Sequence, residues 1–197
     1  MRYKIIILFA LMLAASLTAC RPYEYHGTIL NPPREVQDFT LEAHTGQPLS
    51  LSDYRGHYVL IYFGYTYCPD FCPATMYQLA QAVEALGEDA SGVQVIMVTV
   101  DPARDTAEQL SDYVTGFNSA FLGARTDDPQ RLAEIASDFG VFYETEDVEG
   151  ESAAGYLVSH TVSLFLIDRE GRMLGVYPFG VTGEDLAADL RHLIRQD

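Results

Sequence analysis

The sequence predicts an α/β fold, a central mixed sheet flanked by helices, and three observations carry that prediction. Short continuous apolar runs alternate with stretches of helical spacing from Phe39 onward, the mark of βα units around a largely parallel sheet. Near the C-terminus, two apolar runs joined by a tight polar turn precede one last helical stretch, which adds an antiparallel hairpin. The length, 197 residues, suits one well-buried core and leaves too little chain for two.

Residues 1–19 stand apart from that core. Arg2 and Lys4 precede a continuous apolar run over residues 5–13, and small residues follow it, as in an export signal. The run is short for a bilayer span. It ends in Leu17-Thr18-Ala19-Cys20, which resembles the lipobox of bacterial lipoproteins; cleavage there would leave Cys20 N-terminal and lipidated. An uncleaved anchor helix is the alternative. Either way the rest of the chain is expected on the extracytoplasmic face of a bacterial membrane. Residues 20–35, with Pro22, Gly27, Asn31, Pro32 and Pro33 and little apolar periodicity, read as a lipidated N-terminus and flexible tether, and residues 36–197 as the folded domain.

Within the domain, residues 58–63 read as a buried strand that Gly64-Tyr65-Thr66-Tyr67 breaks. A helix follows over residues 73–86, with Met76, Leu79, Val83 and Leu86 at helical spacing. Residues 93–100 form a second buried strand, and Leu110, Tyr113, Val114 and Phe117 mark the next helix. A third helix carries Leu132, Ile135, Ala136 and Phe139, with Asp127 or Asp128 as its cap before Pro129. Residues 144–151, rich in Glu and Asp, read as a solvated acidic loop. Residues 161–167 and 173–177 read as a hairpin turning through Asp168-Arg169-Glu170-Gly171, and residues 184–194 as a closing helix. Parallel strands first and a hairpin with a helix last is the thioredoxin-like arrangement.

The balance of 28 acidic against 12 basic residues, formally −16, argues against nucleic acid, whose phosphates it would repel. Of the three cysteines, one is assigned to lipid; Cys68 and Cys72 remain, in an oxidising compartment. A staple across so short a loop removes little unfolded-state entropy, so the pair points to redox or metal chemistry more than to a structural disulfide.

Cys68-Pro69-Asp70-Phe71-Cys72-Pro73 lies where a buried strand hands over to a helix, at the carboxyl end of the sheet, where α/β proteins place their sites. Residues four apart on a helical turn have β-carbons roughly 5 to 6 Å apart, so the sulfurs can bridge or share one metal. Helix-start N–H groups and the dipole favour thiolate. Two thiolates suit copper(I), and an added imidazole would let the site hold copper(II) as well. His160, beside the strand expected at 161–167, is better placed for this than His26, His44, His57 or His192, although a histidine in such a position is commonly structural. Zinc accepts the same ligands, but a closed zinc site wants four.

Three segments carry a family resemblance: residues 63–73, Phe-Gly-Tyr-Thr-Tyr-Cys-Pro-Asp-Phe-Cys-Pro; residues 100–106, Val-Asp-Pro-Ala-Arg-Asp-Thr; and Ser159-His160-Thr161 ahead of Leu166-Ile167-Asp168. In order and spacing they resemble the Sco/SenC family, from about Val36 to the C-terminus. The resemblance implies copper bound by Cys68, Cys72 and His160. It also implies delivery of copper to the binuclear centre of cytochrome c oxidase, or reduction of that centre's cysteines. The implied partner is the copper-bearing oxidase subunit or another copper chaperone. Asp70, Asp101 and Asp105 match family positions too. Asp70 is read as an influence on the cysteine pair or as a helix cap, and the Asp101 to Thr106 turn as ordinary helix-start chemistry. Ser159 departs from the acidic residue frequent before the histidine, and Gly123-Ala124-Arg125-Thr126 departs from the usual glycine-rich wording. Two other functions fit the pair: a thiol-disulfide oxidoreductase working without His160, and a peroxidase of peroxiredoxin type.

Overall fold

The computed structural model describes residues 22–147 and 155–196. The expected signal at 1–19, Cys20 and the end of the acidic stretch lie outside the described residues. In chain order the strands are β1 Thr28–Arg34, β2 Thr40–Ala43, β3 Pro48–Ser50, β4 Tyr58–Gly64, β5 Val93–Thr99, β6 Leu122–Arg125, β7 Tyr143–Asp147, β8 Tyr156–His160, β9 Leu164–Ile167 and β10 Met173–Tyr177. The helices are α1 Phe71–Leu86, α2 Ala107–Phe117, α3 Pro129–Phe139 and α4 Gly183–Ile194.

β4 is buried at every position, which is why its sequence is an unbroken apolar run rather than an alternating one. It pairs in parallel with β5, from Tyr58 opposite Val93 to Gly64 opposite Thr99. A parallel pair needs a crossover, and α1 supplies it. β6 extends the parallel set beyond β5, while β9 runs antiparallel on the other side of β4 and β10 antiparallel to β9. The full order is β1-β10-β9-β4-β5-β6-β2-β3, a mixed sheet with helices packed on it, as the thioredoxin-like reading expects. Asp168 sets the β9–β10 turn by accepting from the backbone N–H groups of Glu170 and Arg172 and from the Arg172 guanidinium.

The helix starts follow local chemistry. Thr106 caps α2 in a reciprocal box with Gln109. Asp128, not Asp127, caps α3 ahead of Pro129, and Gly140 closes it in the left-handed region. Among the described residues no helix is long and apolar enough to cross a membrane.

Three expectations are corrected. Residues 28–34 are not tether but strand β1, which pairs antiparallel with β10 and covers that strand's otherwise open edge. The acidic stretch begins as strand β7, whose register with β8 runs from Tyr143 opposite His160 to Asp147 opposite Tyr156. The strand expected over 161–167 begins only at Leu164, as β9, and His160 ends a separate strand, β8.

Asp189 ties the segment before β1 to α4. Asp189 sits fully buried on the apolar face of α4 beside Leu186 and Leu190, where a carboxylate needs donors. It accepts from Tyr23 Oη at 2.8 Å and from the backbone N–H of His26 at 2.9 Å, and its Oδ1 lies 2.9 Å from His26 Nδ1. This hydrogen bond to Asp189 is the main cause that raises the His26 pKa above its ordinary value; the nearby Asp185 carboxylate adds to it, and burial opposes it.

A raised folded-state pKa means stability that is fully present below the unfolded value of His26 and lost as pH rises through the folded one. Denaturant unfolding across that window is expected to show wild-type stability falling with pH more steeply than that of His26→Ala. Asp189→Ala is expected to cost about 1–3 kcal/mol, through donors left without their acceptor, and to speed amide exchange over residues 23–27. Identical slopes for wild type and His26→Ala would refute the linkage.

Candidate metal centre

The cysteine half of the site is built where β4 stops. Gly64 is the last residue of β4, and only glycine fits there without displacement, because a Cβ would stand 2.7 Å from the Tyr62 ring and 3.0 Å from Cys72 Sγ. The next residues are held from below by Asp105, which is fully buried. It accepts from Thr66 N–H at 3.0 Å, from the Thr66 hydroxyl at 2.6 Å and from the Thr99 hydroxyl at 2.6 Å. Cys68 follows in the loop, and Cys72 lies in the first turn of α1, fully buried.

The two sulfurs are not equivalent. Cys72 N–H donates to Cys68 Sγ at 3.4 Å, and the Tyr62 hydroxyl donates to Cys72 Sγ at 3.4 Å. The Cys68 pKa is held well below the ordinary thiol value, first by the Cys72 side chain and also by the backbone N–H groups of Asp70 and Cys72, with burial opposing. The Cys72 pKa is pushed up by its hydrogen bond to the Cys68 thiolate and by burial.

His160, the last residue of β8, brings the third donor. Its Nδ1 is 3.0 Å from the carbonyl oxygen of Thr161, and a carbonyl only accepts, so this contact requires the proton on Nδ1. Nε2 then presents its lone pair, 3.4 Å from Cys72 Sγ. The rings of Tyr62 and Tyr65 stand edge-on to the imidazole, with centroids at 6.1 and 5.8 Å. The ligand atoms of Cys68, Cys72 and His160 all lie within 4.8 Å of one another. Both cysteines are free thiols. A cleft lined by Tyr65, Phe71, Leu157 and Val162, with Asp70 and Glu146 also along it, opens onto this group.

Two sulfurs and one imidazole nitrogen form a soft set that suits copper, whereas closed zinc sites want four protein ligands. The residues fit a copper ion. Of the other histidines, His26 is taken by Asp189, His44 Nδ1 accepts from Gly123 N–H, and His192 stacks on Tyr23. Asp70 makes no side-chain capping bond to α1. Asp105 departs from the helix-start reading, since Thr106 does the capping and Asp105 grips Thr66. Sequence reasoning took Tyr62 for core and did not single out Tyr65; only their closeness to Cys68 in the chain hinted at a role.

The sequence model of the SCO1/SenC family matches residues 28–195. A mitochondrial SCO2 homolog from Mus musculus is 33% identical over 159 residues, which cover 80% of this chain and 61% of that protein. The chain spans about three fifths of the length of the mammalian mitochondrial relatives it matches. The solution structures of apo Sco1 from Thermus thermophilus share 38% identity and a TM-score of 0.76, covering 88% of this chain and 99% of that one. Bradyrhizobium japonicum ScoI with copper bound shares 30% identity and a TM-score of 0.72, covering 80% and 98%.

In the reduced, metal-free protein, iodoacetamide is expected to label Cys68 first, at a rate that holds as pH falls below 8. An ordinary thiol slows about tenfold per unit there. Labelling of Cys72 first, or a steep loss of rate just below pH 8, would contradict the assigned asymmetry. Gly64→Ala is expected to lower stability by about 1–3 kcal/mol through overpacking against Tyr62 and Cys72, read as a shifted denaturant midpoint. An unshifted midpoint would mean that the contact relaxes.

Proposed function

Because this chain belongs to the SCO1/SenC family, we propose that it binds one copper ion through Cys68, Cys72 and His160 in the assembly of cytochrome c oxidase. The observation that carries this reading is the gathering of two sulfurs and one lone-pair nitrogen within 4.8 Å at the end of a buried strand. Bradyrhizobium japonicum ScoI and Arabidopsis thaliana ScoI, both with copper bound, support the choice of metal. The bound ion passes to the copper-bearing oxidase subunit, or is received from another copper chaperone. The chain acts on the extracytoplasmic face of a bacterial membrane, with residues 1–19 removed and lipid on Cys20.

The asymmetry of the cysteine pair favours a second use of the same site: reduction of the oxidase centre's cysteines. The Cys68 thiolate attacks a partner disulfide, forming a mixed disulfide and expelling one partner thiolate. Cys72 gives its proton to the expelled partner thiolate, attacks Cys68 Sγ and releases the second partner thiolate. This chain ends with a Cys68–Cys72 disulfide, and the partner gains two electrons.

Copper binding by the reduced full chain, compared with His160→Ala and with Cys68→Ser/Cys72→Ser, tests the first reading. One copper per chain is expected in wild type, with thiolate charge-transfer bands of the copper(II) form lost in the double variant and altered in His160→Ala. Wild type that releases its copper to a moderate chelator would sink copper binding and leave the thiol-disulfide reading standing.

A further inference from the structure

The imidazole of the three-donor site is mounted on a weak element. Among the described residues β8 pairs only with β7, in a two-stranded sheet separate from the main one, and such a hairpin is marginal in water by itself. Alternation along β8 puts Tyr156, Val158 and His160 on one face. His160 meets Cys72, and Val158 is buried with its N–H donating to the Tyr65 hydroxyl at 3.3 Å.

The other end of the strand is gripped by two residues of the turn after β5. Arg104 Nη1 donates to the Tyr156 carbonyl at 2.9 Å, and its guanidinium lies over the Tyr156 ring, 3.6 Å from the centroid. Arg104 Nε donates to Asp101 Oδ2 at 2.5 Å, while the Tyr156 hydroxyl donates to Asp101 Oδ1 at 2.7 Å. Asp101 is buried, and these donors satisfy its charge. Neither side chain is needed to start α2, because Thr106 and Gln109 cap it.

We infer that Asp101 and Arg104 are positioning residues for His160: by fixing the first residue of β8 they set where the last one stands relative to Cys72. The same turn holds the cysteine loop through Asp105, so one six-residue segment mounts both halves of the site. The inference rests on the copper reading only in the second of its two measurements.

The first measurement needs no metal. In the full chain, the His160 ring signals in the proton NMR spectrum, identified by their loss in His160→Ala, are shifted by the edge-on Tyr62 and Tyr65 rings. In Arg104→Met these signals are expected to move toward those of an exposed histidine, and amide exchange at Val158 to rise about tenfold. Tyr156→Phe keeps the stacked ring and loses only the bond to Asp101, and it is expected to move both in the same direction by less. His160 signals and Val158 exchange unchanged in both variants would overturn the inference.

The second measurement is copper(II) affinity and spectrum. Arg104→Met is expected to resemble His160→Ala, weaker by about tenfold, and the double variant is expected to be no weaker than His160→Ala alone. Losses that multiply in the double variant would overturn the inference. If wild type holds no copper, the copper reading falls and the metal-free signals still decide the role of Arg104.

Discussion

The cysteine half of this site depends on one buried carboxylate. Asp105 is fully enclosed, where a charge without partners would be costly. Burial raises its pKa, and its hydrogen bonds to Thr66 and Thr99 work against that rise. Those bonds have a structural consequence: they join the end of β5 to the irregular residues after β4. Among the described residues the segment from Tyr65 to Asp70 has no sheet partner, and irregular backbone next to a core must find its hydrogen bonds elsewhere. Thr66 finds them in Asp105, and Cys68 N–H donates to the Tyr65 carbonyl at 3.3 Å. The loop that delivers Cys68 is therefore tied to the end of β5 through Asp105.

The cysteine pair inherits a direction from this mounting. Cys72 lies under the strand end, wedged between the Tyr62 hydroxyl and the glycine that makes room for it. Cys68 lies nearer the cleft, and its negative charge is held by the Cys72 side chain and by N–H groups at the start of α1. A partner approaching along the cleft meets Cys68 before Cys72. Copper handed over by ligand exchange and electrons handed over by disulfide exchange would both begin at the same sulfur, so a single geometry serves either chemistry.

The sequence announces part of this plainly. The unbroken apolar run of β4, the glycine that ends it and the cysteine spacing at a strand-to-helix junction place the sulfurs without any structure. The histidine is a different matter. His160 is one of five histidines in the chain, and its place beside an expected strand equally suits a structural histidine; the likeness of Ser159-His160-Thr161 to family wording singles it out, and the strand that carries it is not the expected one. Glu144 and Glu146 resemble a solvated loop because β7 keeps a polar face, and period-two alternation over five residues is easily masked. β1 was hidden for a related reason. Pro32 and Pro33 suggest a tether, yet on an edge strand a missing N–H costs little. Asp189 was the legible clue to the ordered N-terminal segment, a carboxylate on the otherwise apolar face of a helix, and such a group implies donors arriving from elsewhere in the chain.

The register of β7 with β8 decides whether the third donor exists at all. In a strand with period two, a slip of one residue turns every side chain to the opposite face. Here such a slip would aim Ser159 at the cysteines and send His160 to the solvent side, leaving two sulfurs without a nitrogen. Two features oppose it at the His160 end. The backbone continues the ladder past the strand, with Thr161 N–H donating to the Phe142 carbonyl at 2.9 Å, and the Thr161 hydroxyl accepts from Phe142 N–H at 3.0 Å. The Thr161 carbonyl then accepts a hydrogen bond from Nδ1–H of His160, so the residue that locks the register also orients the ring. Strand pairing and imidazole tautomer are set by polar groups of one residue, and the donor set is complete only when both are right.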